Sequence, residues 1–67
     1  MSVYLVPDEE RVFNYLIGRK TWATAKQVSK KFNVSNSHAY NILEKFVENS
    51  LVDTFKSGTT KYYRIKE

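Results

Sequence analysis

The chain contains no cysteine, one proline and two glycines, and its longest apolar runs are a few residues. Each shortage excludes something. Without cysteine no disulfide framework can staple the fold, and the Cys/His zinc modules are ruled out. One histidine and no cysteine also argue against a metal site. Two glycines cannot build a glycine-rich phosphate loop, so the commonest nucleotide-binding signature is absent. No stretch approaches the roughly 18 apolar residues of a membrane span, and "MSVYLV" lacks the basic start and length of a signal peptide. A cytoplasmic (or nucleoid-associated) protein is expected, whole or as one domain of a longer chain, with no cofactor.

Acidic residues are also unevenly missing. Asp8, Glu9 and Glu10 cluster near the start, whereas Arg19, Lys20, Lys26, Lys30 and Lys31 follow one another with no acid through residue 34. The net charge of +4 is therefore concentrated in the second quarter of the chain. A polarised basic patch of this kind attracts an anion, most often nucleic acid, although lysines also serve solubility. Hydrophobic residues at 42% and aromatics at 15% are enough for a packed core, at a size where a single domain is already marginal.

The elements follow from periodicity and punctuation. In "PDEERVFNYLIG", Pro7 suits a first helical turn and the three acids complement the positive end of the helix dipole. Val12, Phe13, Leu16 and Ile17 make one stripe, and Gly18 is the expected stop, giving a helix over 8–17. "RKTW" breaks the pattern and puts Trp22 in a short extended piece. Thr24 and Gln27 have capping-box spacing, with a helix over 24–32 that turns Ala25, Val28 and Phe32 inward. Trp22 and Phe32 are expected in the core. Asn33 suits a left-handed stop, and Ser35 is a strong N-cap for a third helix over 35–49. In the last stretch, over 51–66, "SGTT" separates "LVDTFK" from "KYYRIK", a hairpin signature. Tyr63 and Ile65 are expected on its core face, with Tyr62, Arg64 and Lys66 outside.

The third helix carries the chemistry. Ala39, Ile42, Leu43 and Phe46 recur at helical spacing and need a core. The opposite side begins with Asn36, Ser37, His38, Tyr40 and Asn41, hydrogen-bonding heads without a carboxylate. Base edges present donors and acceptors, and Asn is a natural bidentate partner of adenine. Asn36 and Ser37 equally suit a helix N-terminus, Tyr40 a packed rim, and His38 a half-buried helix position. Asn41, a poor mid-helix residue, is harder to explain without a ligand.

Three helices, a tight turn between the second and third, and a closing hairpin resemble the winged helix-turn-helix domain, an α+β fold, over nearly the whole chain as a single domain of residues 1–67. "VSNSHAYNIL" leading to "NSLV" also resembles the small fimbrial-operon regulators. The resemblance implies sequence-specific binding to double-stranded DNA by a small transcriptional regulator, not an enzyme. The third helix would enter the major groove with Asn36, Ser37, Tyr40 and Asn41 facing bases. Thr24, Lys26, Lys30, Lys31, His38 and Lys45 would reach phosphates, as would Lys56 and Lys61 of the wing. Two other uses of such domains are a protein–protein module of a larger complex and shape recognition of left-handed or RNA duplexes. For the latter, "SGTTKYYRI" has a similar outline, but Thr60 and Lys61 replace the expected proline pair. Residues 1–6 form an extension whose Val3, Tyr4, Leu5 and Val6 suit either a homodimer contact or cover for the chain's own core.

Overall fold

The computed structural model describes residues 5–66. Its elements are α1 (Pro7–Arg19), α2 (Ala25–Phe32), α3 (Asn36–Glu48), β1 (Val52–Ser57) and β2 (Thr60–Ile65). The two strands pair antiparallel from Val52↔Ile65 to Ser57↔Thr60 around the turn at Gly58, whose φ of +62° favours glycine. Ala23 adds a one-residue third strand. Its N–H donates to the Tyr63 carbonyl and its carbonyl accepts the Tyr63 N–H, both at 2.8 Å. This is the winged helix-turn-helix order, helices first and wing last.

Three helix ends use the left-handed region, and none uses a glycine. Lys20, Asn33 and Ser50 have φ of 55°, 55° and 59°. Gly18, expected to stop the first helix, lies inside it. The helix runs one residue further and closes when the Lys20 N–H donates to the Leu16 carbonyl. The Thr24–Gln27 capping box and the Asn33 stop of α2 form as expected. Ser35 caps α3 by accepting from the His38 N–H. Only Asn33, Val34 and Ser35 separate α2 from α3, so the two helices are held at a fixed angle, with the Val34 N–H donating back to the Ser29 carbonyl.

The core joins all three helices to the wing: Val12, Leu16, Val28, Ala39, Ile42, Leu43, Phe46, Val52 and Tyr63 are buried, with Ala23 among them. Phe13 meets Phe46 edge-on at 5.5 Å, and Phe32 meets Tyr15 in the same way. Phe32 is half-buried against the core as expected. Trp22 is not in it. Successive residues of a strand point to opposite faces, and Ala23 takes the inward place beside Tyr63. Trp22 therefore lies on the outer face, edge-on to Phe55 at 4.6 Å and beneath the Arg64 guanidinium. Of the N-terminal extension, Leu5 packs on the core and Val6 is exposed; Val3 and Tyr4 lie outside the described residues.

Gly18 has nothing within 4 Å of where a Cβ would stand. Gly18→Ala should therefore stabilise the fold by about 0.5–1 kcal/mol through helix propensity. Phe46→Ala should destabilise it by about 3–5 kcal/mol through the cavity it leaves. Urea unfolding of both variants checks the pair. A Gly18→Ala variant less stable than the parent would show that the helix does not continue through residue 18.

Candidate nucleic-acid interface

The beginning of α3, the N-terminus of α2 and the tip of the wing enclose an open cleft of about 350 Å³. Thr24, Ala25 and Lys26 line one wall, Asn36 and Tyr40 the floor, and Thr59, Thr60, Lys61 and Tyr63 the other wall. Five of the residues expected from sequence to touch DNA, namely Thr24, Lys26, Asn36, Tyr40 and Lys61, meet here. Asn36 and Tyr40 are one helical turn apart on the wing-facing side of α3. Ser37 and Asn41, also one turn apart, are exposed on the face opposite the buried residues. The first two turns of α3 thus present two adjacent polar rows, with no carboxylate in either.

Asn36 is held in place from below. The hydroxyl of buried Ser29 on α2 donates to Asn36 Oδ1 at 2.7 Å and also lies 2.9 Å from the Lys26 carbonyl. This contact fixes one edge of the amide and leaves its NH₂ for the cleft. Asn41 carries no side-chain hydrogen bond among the described residues. Its amide is free on both edges, as bidentate pairing to a base requires.

The basic residues divide into free and committed groups. Lys26, Lys30 and Lys56 are exposed without a carboxylate partner among the described residues, and the Lys31 ammonium leans over the Tyr15 ring at 5.9 Å. Lys45 and Lys61, expected as free phosphate contacts, are already ion-paired. Lys45 Nζ donates to both oxygens of Glu9 at 2.9 and 3.1 Å, tying α3 to the start of α1. Lys61 Nζ donates to Glu44 Oε2 at 2.6 Å. His38 stands apart from the cleft. It faces α1 beside Asp8 and Arg11, with Nε2 3.8 Å from Asp8 Oδ2.

The sequence alone does not assign site roles to Ser29, Thr59 or Thr60, nor does it pair Glu9 with Lys45 or Glu44 with Lys61. Ser29 had a signal, since a serine inside a helix often bonds back to the preceding turn. The threonines were read as turn residues, and nothing local in the sequence tells that Glu9 meets a lysine 36 positions away.

Partial burial opposes the charge on Glu9, but the ion pair with Lys45 and the Val6 N–H outweigh it, and its carboxyl sits below the ordinary 4.5. Glu44 behaves alike: burial raises it, while bonds from Lys61 and Tyr63 lower it further. For a carboxyl depressed by folding, the stabilisation is present above its ordinary range and is lost as pH falls through the lowered folded value. Unfolding free energy should therefore decline below about pH 4.5, and a Glu9→Gln, Glu44→Gln double variant should show a shallower decline. Urea midpoints measured across that range check this. Parallel curves for parent and variant would place the acid sensitivity elsewhere.

A family model described as "Sugar-specific transcriptional regulator TrmB" matches residues 4–67. No curated protein matches the chain. Among solved structures, the ST1889 protein of the thermoacidophilic archaeon Sulfolobus tokodaii superposes with a TM-score of 0.87 at 22% identity, over 94% of this chain and 63% of that one. The adhesin competence repressor AdcR of Streptococcus pyogenes gives 0.78 at 17% identity, over 94% and 48%. A Lactococcus lactis ZitR mutant in complex with DNA gives 0.77 at 16%, over 98% and 46%. These likenesses confirm the winged-helix fold. The chain spans less than two thirds of each of these three structures.

Proposed function

The chain belongs to the TrmB family of transcriptional regulators, and we propose that it reads double-stranded DNA with α3 in the major groove and the wing along the adjacent backbone or minor groove. The observation that carries this reading is the carboxylate-free polar face of Asn36, Ser37, Tyr40 and Asn41, with Lys26, which has no carboxylate partner among the described residues, on the α2 wall of the cleft. Asn41 is the bidentate base reader, Asn36 offers its NH₂ to an acceptor on a neighbouring base, and Ser37 and Tyr40 complete the row. Lys26, Lys30, Lys31 and Lys56 neutralise phosphates, assisted by the free N–H groups at the α2 N-terminus after Thr24. Membership of a family of transcriptional regulators supports a regulator in the cytoplasm rather than an enzyme. One recognition helix spans few base pairs, so two copies on half-sites about one DNA turn apart are part of the reading.

Phosphate neutralisation releases counterions, so with about four lysine contacts log K should fall with log salt at a slope of roughly −4. Replacing Lys30 and Lys31 with Ala should weaken all duplexes alike and flatten the slope by about one to two units. Asn41→Ala should instead relax preference at one base position, costing about 1–3 kcal/mol there. Binding assays across salt, with duplexes selected from a random pool, make both measurements, and sedimentation on a selected site counts copies. Equal losses for Asn41→Ala on selected and random duplexes would remove it as a base reader. A single copy on every selected site would remove the two-copy arrangement.

A further inference from the structure

Glu44 is misplaced for simple electrostatics. It follows Tyr40 by one turn on α3, and a carboxylate beside a DNA cleft repels phosphate. Its Oε2 accepts two hydrogen bonds from the wing, from Lys61 Nζ at 2.6 Å and from the Tyr63 hydroxyl at 2.7 Å. Both donors stand on the inner face of β2, two residues apart. Tyr63 cannot drift, because its ring is fully buried and its backbone is bonded to Ala23 on both sides. Glu44 therefore ties the third turn of α3 to an immobile point of the wing. It also draws the Lys61 ammonium to the protein's own side of the cleft.

We propose that Glu44 is a specificity-determining positioning residue: it sets the wing against the recognition helix and withholds the charge of Lys61 from the DNA backbone. The proposal rests on the duplex-reading function above. The wing then contributes to discrimination through its placement, and Lys61 adds little to sequence-independent attraction. A lysine held by a carboxylate neutralises no phosphate and so displaces no counterion condensed on the DNA; it should be silent in the salt dependence of binding.

The test is a two-by-two set of parent, Glu44→Gln, Lys61→Ala and the double variant, each titrated at several salt concentrations with a selected duplex and a random duplex. Gln keeps an oxygen to accept from Tyr63, so the fold should persist, and thermal unfolding verifies it. In the parent background Lys61→Ala should leave the salt slope unchanged. Glu44→Gln should steepen it by about one unit as Lys61 turns to phosphate, tighten binding to the random duplex, and lower the ratio of selected to random affinity about 5–10-fold. Adding Lys61→Ala to Glu44→Gln should restore the parent slope. A slope flattened by about one unit in the Lys61→Ala single variant would overturn the proposal, since Lys61 would then be an ordinary phosphate contact. So would equal tightening on both duplexes by Glu44→Gln, the result of charge alone. A parent that discriminates no duplex would overturn the DNA-reading function itself, and this proposal with it.

Discussion

Tyr63 is bound in three directions, and the arrangement of the wing depends on all of them. Its ring fills the core against the helices, with no exposed surface. Its N–H and carbonyl pair with Ala23, which closes the loop between α1 and α2 onto the sheet. Its hydroxyl donates to Glu44 on α3. A hairpin of two strands is barely stable by itself in water. Here one aromatic residue joins it to the core and to α3, so the wing and α3 form one surface rather than two separate parts. Removing the ring would open the core; removing the hydroxyl alone would leave Glu44 Oε2 with only its bond from Lys61.

The proposed reading face results from where the carboxylates went as much as from where the asparagines are. The chain has seven Asp and Glu residues. Glu9 pairs with Lys45 at the far side of α3, and Glu44 pairs with Lys61 at the side of the wing. Between these two struts lies the polar surface of Ser37 and Asn41. Such half-exposed ion pairs contribute little to stability, of order 1 kcal/mol or less each. Their effect is geometric: they tie α3 to its neighbours on both flanks and neutralise two positive charges beside the proposed DNA-binding face.

Much of this was legible in the residues. Periodicity gave three helices, Thr24 with Gln27 and Ser35 marked two of their starts, and the alternation through "KYYRIK" put Tyr63 inside. These are local signals, and local geometry decides them. Gly18 misled because a glycine permits a helix end without requiring one, and the packing of Leu16 and Tyr15 carries α1 past it. Trp22 misled because its size suggested burial, while the inward place beside Tyr63 was reserved for Ala23 by the pairing of two backbones 40 residues apart. The ion pairs of Lys45 and Lys61 were beyond reach for the same reason: they join elements whose proximity exists only after folding. The four base-facing candidates came from residue chemistry together with the resemblance to winged helix-turn-helix domains. Their division into a wing-side pair and an outer pair needed the helix to be docked.

The central claim is that one continuous surface, from the α2 N-terminus across the first turns of α3 to the wing tip, meets duplex DNA. The most direct measurement is an NMR titration of the labelled protein with a short duplex, following every backbone and side-chain amide. The account predicts that shifts concentrate at Thr24–Lys26, Asn36–Asn41 and Ser57–Thr60, with the Asn41 side-chain amide among the largest. Shifts confined to the outer aromatic face of Trp22, Phe55 and Tyr62, or an unperturbed α3, would contradict it.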